Sequence, residues 1–343
     1  MKPPRAAAVL GSAVVLAAAI MFPLLTSNEY ILHVAIVVLL YVVLTSSLNL
    51  ILGYVGQFAV CHAAFYGIGA YTSALLVLKL GMPFWVSWLV AILFTGFWAL
   101  VIGYPALRLR GAYPAICTFA FAELVRLCLE NWDSVTNGTD GIIITYRLEA
   151  IPLPFGRQIA FETRTDFYFL ALGLAVLTCA IIVAIVRSRI GRVLVAIRED
   201  EILVLAAGYN VMHYKVFAFF VSALFAGLAG GFYAPYMTFI LPSNYDFDEV
   251  IFMIVVTIVG GRATIAGPLI GSAFLVSLPY LLDVNATLRM IAYGAILVVT
   301  ILYFPEGVVG LLRRPRGPDR RRAGTEGASP FARASNSAPG TRA

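Results

Sequence analysis

Residues 187–215, RSRIGRVLVAIREDEILVLAAGYNVMHYK, form the one long charged interruption in an otherwise apolar chain. The stretch carries Arg187, Arg189, Arg192, Arg198, Glu199, Asp200, Glu201 and Lys215. At about 3 kcal/mol per charge at mid-bilayer, burying this set in hydrocarbon costs on the order of 20 kcal/mol. The stretch therefore lies outside the membrane. Ile190 to Ile197 is a compact apolar run, and the acidic cluster after it puts negative charge where a helix start favours it, with Asp200 as N-cap. Gly208 supplies the helix stop. A helix from Asp200 to Ala207 has about two turns, too short to persist alone in water. It must dock, either on its own protein or on a partner subunit, and composition leaves both open.

The rest of the chain sets the context. Of its residues, 61% are hydrophobic and 12% charged, against roughly 25% charged in soluble domains, and the mean hydropathy is +0.91. This is the composition of an integral membrane protein. Judged against the roughly 20 residues a helix needs to cross the hydrocarbon core, the sequence divides into about ten apolar spans: Ala6–Leu25, Tyr30–Leu52, Ala59–Leu80, Phe84–Leu107, Ala112–Glu130, Phe167–Val186, Val216–Met237, Val250–Val259, Pro268–Leu282 and Met290–Phe304. The eighth and ninth are short, which predicts half-helices joined by the glycines between them. The expected fold class is all-α: a polytopic transmembrane helical bundle over residues 1–311, followed by a basic tail, 312–343, whose Arg, Gly, Pro and Ser content predicts disorder. The first arginines of that tail are placed to meet anionic lipid heads.

Basic loops stay on the cytoplasmic side. With the N-terminus inside, 18 of the 24 Lys and Arg residues fall on inner segments and 11 of the 18 acidic residues on outer ones. One orientation satisfies every loop, with both termini cytoplasmic. The pI near 9.2 then reflects topology and argues against nucleic-acid binding. Lys2 to Leu25 has the outline of a signal peptide, but its apolar run is long and no small-x-small cleavage site follows, so it reads as an uncleaved first span.

Polar residues inside apolar spans are the candidate functional positions, because they tend to face a bundle interior or a cavity. Gln57 and His62 lie in SLNLILGYVGQFAVCHAAFYGIGAYTSALL, residues 47–76, among small residues that let helices approach closely. His62 alone reads more readily as a satisfied core histidine. Glu123 and Arg126 stand three apart on one helical face, an arrangement that favours mutual neutralisation over a proton site. Residues 131–166 form the longest outer loop, with the turn formers Asn137, Gly138, Asp140 and Gly141.

Four of these strings carry a resemblance. GRVLVAIREDEILVLAAGYNV, residues 191–211, resembles the cytoplasmic coupling motif, G-R-x-L-x-A-I-R-E-D-E, of the permease subunits of bacterial ABC importers for branched-chain amino acids. Gly191, Arg192, Leu194, Ala196, Ile197, Arg198, Glu199, Asp200, Glu201 and Gly208 match it, while Leu203 and Val204 stand where the family has alanines. Residues 47–76 keep Asn49, Gly53, Tyr54, Gly56, Gln57, His62, Ala63, Ala64, Phe65, Gly67, Gly69 and Tyr71 of the family's N-terminal motif. RGAYPAICTFAFAELVR, 110–126, resembles R-G-x-Y-x-A-I-x-T-x-A-x-x-E apart from the spacing around Tyr113. TIVGGRATIAGPLIGSAFL, 257–275, is similar to the glycine-rich G-G-x-G-x-x-x-G-P-x-x-G segment, with Ala263 in a glycine position.

The resemblance implies the ABC importer permease fold and a bacterial inner-membrane location. It implies ATPase coupling through Arg198, Glu199, Asp200, Glu201 and Gly208, with Gln57, His62, Glu123 and Arg126 as pathway candidates. The implied partners are a second homologous permease, two cytoplasmic ATP-binding subunits, an extracytoplasmic substrate-binding protein that docks on the outer loop, and the bilayer. The implied cargo is a branched-chain amino acid, or for relatives urea, short amides or other hydrophobic amino acids. No phosphate-cradling G-x-x-x-x-G-K-[ST] string occurs, so the expectation is no cofactor of its own, with ATP used by the partners. The scattered cysteines and histidines show no metal or redox spacing, and no nucleophile–base–acid set is apparent, so an enzyme is not expected. The rival readings are an ion-coupled secondary transporter using Glu123, and a non-transporting scaffold.

Overall fold

The computed structural model describes residues 5–26, 28–109, 111–146, 148, 151–152, 158–159, 161 and 163–282, together with the isolated positions 291, 294 and 298. Apart from those three positions the tenth span lies outside the described residues, as do the basic tail and Arg110.

The chain is helical because apolar backbone in a membrane must satisfy its own hydrogen bonds. The order is α1 (Arg5–Leu25), α2 (Glu29–Asn49) running into a π-helical turn (Leu50–Val55), α3 (His62–Leu80), α4 (Phe84–Ala106), α5 (Tyr113–Asn131), α6 (Asp133–Thr136), α7 (Arg164–Arg187), α8 (Arg189–Glu199), α9 (Glu201–Ala206), α10 (Val211–Met237), α11 (Phe247–Gly261) and α12 (Ala266–Leu282). Two small antiparallel ribbons lie at one end of the bundle. In the first, β1 (Ile142–Ile143) pairs with β4 (Phe239–Ile240), with Ile143 opposite Phe239. In the second, β2 (Ile151–Pro152) pairs with β3 (Gln158–Ile159).

Helix starts at this end use the expected chemistry. Asn28 caps α2, Thr163 and Asp166 form a capping box on α7, and Asp246 caps α11. Acidic residues follow each cap, so the acidic end of the bundle is also the end where α2, α7 and α11 begin. The charged stretch 187–215 lies at the opposite, basic end.

Glycines on α10 bring three helices together. A Cβ at Gly230 would stand 2.1 Å from the Tyr66 carbonyl of α3, one at Gly227 2.6 Å from Thr95 Oγ1 of α4, and one at Gly231 2.1 Å from Trp88. Close approach between membrane helices depends on such small residues. Polar bonds reinforce the contacts: Trp88 Nε1 donates to the Leu228 carbonyl at 2.9 Å, and Ser222 Oγ donates to the Ser47 carbonyl of α2 at 2.7 Å. Together α2, α3 and α10 hold much of the main core, with α7 on one flank of α2 and the α11–α12 pair beside it.

Five described helices are long and apolar enough to cross a membrane: Glu29–Val55, His62–Leu80, Phe84–Ala106, Arg164–Arg187 and Val211–Met237. The expected count of ten is therefore not confirmed among the described residues. α5 carries Glu123, Arg126 and Glu130; α11 and α12 are 15 and 17 residues long; and the apolar stretch counted in α1 is Leu16–Leu25. The two short spans are the helices α11 and α12, with Gly260, Gly261 and Gly267 at their junction. α11 and α12 lie side by side as an antiparallel hairpin. Gly260 stands against Gly267 and Gly271, Gly271 against the Val256 carbonyl, and Val255, Val256, Val259 and Leu275 form a common cluster.

Candidate functional site

The charged stretch folds into two helices of different character: α8 is amphipathic and α9 is a mostly apolar turn and a half. Ser188 caps α8 by accepting from Ile190 N and Gly191 N. Asp200 ends α8 and caps α9, its Oδ1 accepting from Ile202 N at 2.9 Å and Leu203 N at 3.0 Å. Gly208, with φ of +85°, lets the chain turn into α10. The Asp200 cap and the Gly208 stop match the positions expected from sequence; the Ser188 cap was not anticipated.

α9 is held to the body from one side only. Val204 is buried with Leu194 and Ile197 of α8, Val211 and Ala218 of α10, and Leu50, Tyr54 and Val55 of the π turn. Lys215 Nζ and Glu201 Oε2 form an ion pair of 2.7 Å, with the Lys215 side chain 7% exposed. The other side is open. Ile202 is 75% exposed and Leu203 67%, with Leu205 and Tyr209 also exposed. The outward side of this short anchored helix is thus a ridge of exposed aliphatic side chains. The residues that depart from the family pattern divide between the two sides, Val204 inward and Leu203 outward.

Beneath the knuckle formed by α8 and α9 lies the end of α2. The π turn Leu50–Val55 closes on Gly56, whose φ is +76° and whose N–H bonds to the Ile51 carbonyl. A π segment is rare and concentrates at functional sites. The last carbonyls of any helix lack intrahelical donors. Here Arg198 Nη1 donates to the Gly53 carbonyl at 3.1 Å, while its Nη2 pairs with Glu199 Oε1 at 2.5 Å. Positive charge at a helix C-terminus also complements its dipole. Gly56 makes the contact possible, since a Cβ there would fall 2.5 Å from Arg198 Cγ.

Asn49, 2% exposed, lies one turn above. Its Oδ1 accepts from Ala263 N at 2.9 Å, and its Nδ2 donates to the Thr264 carbonyl at 2.8 Å. One amide thus holds two backbone groups of the turn between α11 and α12. Ala263 sits at φ of +55°, a conformation glycine adopts freely and alanine does not. Sequence reading placed Asn49, Gly53 and Ala263 within family motifs but gave them no role in the site; a buried amide in an apolar run was the signal available.

The pathway candidates do not converge. His62 is 4% exposed; its Nε2 lies 3.1 Å from the Leu44 carbonyl and 3.0 Å from Ser47 Oγ. A carbonyl only accepts, so Nε2 carries the proton, and the residue reads as a satisfied core histidine tying α3 to α2. Gln57 follows Gly56 on the link beneath Arg198, partly buried. Glu123 and Arg126 pair at 2.6 Å on α5, and Arg126 reaches Glu130 as well at 2.5 Å. Glu130, the last residue of the fifth apolar span, makes this a triad with one excess negative charge. All three are partly exposed beside a shallow apolar groove lined by Ile116, Phe119, Leu124, Leu127 and Cys128.

Comparison with known proteins gives a consistent relationship. Residues 30–303 match the model of the family described as branched-chain amino acid transport system, permease component. The chain is 30% identical over 312 residues to the high-affinity branched-chain amino acid transport system permease protein LivM of Escherichia coli K12, covering 86% of this chain and 73% of the relative. It has the same identity and coverage with LivM of Salmonella typhimurium LT2. It is 31% identical over 121 residues to the ribose import permease protein RbsC of Haemophilus influenzae, covering 33% of this chain and 38% of the relative. No solved structure matches significantly.

Proposed function

The chain belongs to the branched-chain amino acid transport system permease family, and from that premise we propose that it is the membrane subunit of an ATP-driven importer of branched-chain amino acids. In this reading it sits in a bacterial inner membrane with both termini cytoplasmic. It pairs with a second homologous permease and takes its cargo from an extracytoplasmic binding protein. Two cytoplasmic ATPases supply the energy, and this chain is a transport subunit with no nucleotide site of its own.

The observation that carries the reading is the α9 ridge. Isolated aliphatic residues on a surface need no explanation. A short helix capped by Asp200, pinned by Lys215–Glu201 and carrying Ile202 and Leu203 outward is built to be gripped. Closure of the ATPases would move this ridge against the end of α2.

The second permease is assigned to the α5 face. Charged groups on a membrane helix turn toward protein or water rather than lipid, and the Glu123–Arg126–Glu130 triad lies partly exposed among apolar side chains. Pairing the two permeases through this face would place the triad beside the passage between them. Family membership and the name of the LivM relatives support branched-chain amino acids as cargo.

The test is reconstitution of the complex in proteoliposomes with labelled leucine and binding protein outside. The reading expects uptake that needs ATP and the ATPase subunits. Uptake by this chain in an ion gradient without them, abolished by Glu123→Gln, would support a secondary transporter instead.

A further inference from the structure

We propose that Asn49 is a positioning residue that carries displacement of the α8–α9 knuckle into the α11–α12 hairpin. The inference rests on the importer reading above and extends it to a route through the fold.

The route is a continuous series of contacts. Arg198, in the last turn of α8, bonds to the Gly53 carbonyl at 3.1 Å. Gly53 has no side chain to separate its neighbours: a Cβ there would lie 2.1 Å from Asn49 Oδ1 and 2.5 Å from Ala263 N. Asn49 in turn holds Ala263 N and the Thr264 carbonyl at 2.9 and 2.8 Å. Apolar packing runs parallel to these bonds, since Leu50, Tyr54 and Val55 share a core with Leu194, Ile197 and Val204, and Ala263 packs at its edge. The knuckle and the hairpin therefore grip the same six-residue turn from two sides.

That turn is suited to yield. A π segment holds one residue more than the α-helical turn it replaces, so conversion between the two shifts the end of α2 by about 1.5 Å. A coupling route requires an element with two arrangements that both sites can bias. The proposal gives this part to the π turn, and Asn49 is the last residue of α2 before it. The hairpin end it grips is poised as well, because Ala263 is kept in the left-handed region, where an L-residue sits only under constraint.

Two roles for Asn49 are separable. If it only keeps the Ala263 turn in shape, glycine at 263 makes the amide dispensable. If it transmits movement, glycine at 263 restores the turn but not the link. The experiment measures amino acid moved per ATP hydrolysed by the whole complex in proteoliposomes. For Asn49→Ala we expect ATP hydrolysis within about twofold of wild type and transport per ATP at least tenfold lower, with no recovery in Asn49→Ala/Ala263→Gly. Unchanged transport per ATP in Asn49→Ala, or its recovery in the double variant, overturns the proposal. If Asn49→Ala does not accumulate, Asn49→Asp, which has the same shape and keeps the acceptor for Ala263 N, is measured in its place and is expected to uncouple likewise. Wild-type uptake that needs no ATPase would instead count against the importer reading itself.

Discussion

Arg198 caps the Gly53 carbonyl at the end of α2 across 145 residues of sequence. The bond joins the segment richest in charge to an apolar helix, and it answers the question of where an orphan carbonyl in a π turn finds its donor. Arg198→Ala leaves that carbonyl without a partner in a partly buried site, at a cost of about 1–3 kcal/mol. A lower melting temperature of the detergent-purified chain is the expected readout. Arg198→Lys recovers only part of the loss, because one ammonium lacks the planar fork that serves Gly53 and Glu199 together. An unchanged melting temperature in Arg198→Ala would show that the bond contributes nothing.

Ala263→Gly removes the side chain from a left-handed position, which relieves roughly 1–2 kcal/mol of local strain. Greater freedom of glycine in the unfolded chain offsets part of this gain. The net expectation is a chain more stable by about 0.5–1 kcal/mol, seen as a higher melting temperature. A lower one would mean that the alanine methyl makes contacts worth more than the strain.

Gly230→Ala and Gly173→Ala form a matched pair. At Gly230 the new carbon would meet the Tyr66 carbonyl at 2.1 Å and Ala70 N at 2.7 Å, whereas at Gly173 nothing lies within 4 Å. Overpacking of this kind costs about 1–3 kcal/mol or more, and here backbone on both sides must move. Gly230→Ala should lower the yield of folded protein sharply and Gly173→Ala should leave it unchanged, as judged by size-exclusion profiles in detergent. Equal behaviour of the two would contradict the α3–α10 packing.

On α5, Arg126 serves two carboxylates. Glu123→Gln leaves the Arg126–Glu130 pair in place, so ATP-driven uptake should persist within a few-fold of wild type. Arg126→Ala leaves two carboxylates on an apolar face without their cation and should reduce folded yield more than Glu123→Gln does. Uptake assays and expression levels of the two variants decide it; a larger loss from Glu123→Gln would point to a direct role for that carboxylate in transport.

Much of the knuckle was legible in the sequence because its signals are local. Asp200 as cap, Gly208 as stop and the charge of residues 187–215 each act within a few residues. The pairing of Glu123 with Arg126 was legible for the same reason, being set by helical spacing. What was not legible depends on contacts between distant segments: Lys215 with Glu201 across the knuckle, Asn49 with the turn at Ala263, and the π turn that lets Gly53 face both Arg198 and the hairpin. The side-by-side packing of α11 and α12 escaped for a related reason. Their lengths announce that they are short, but only Gly260, Gly267 and Gly271 in contact show that they lie next to each other. The five long spans were readable as apolar runs, whereas the charges of α5 and the shortness of the hairpin blur any count based on length alone.

The central claim is that the bare side of α9 is where an ATPase subunit grips this chain. It is tested most directly by cysteine cross-linking from Leu203→Cys, with the exposed Cys128 replaced by Ser, in cells that produce the whole complex. The account predicts a cross-link from position 203 to the ATPase subunit and no labelling of that cysteine by a membrane-impermeant maleimide applied to intact cells. Labelling from outside, with no ATPase cross-link, would contradict it.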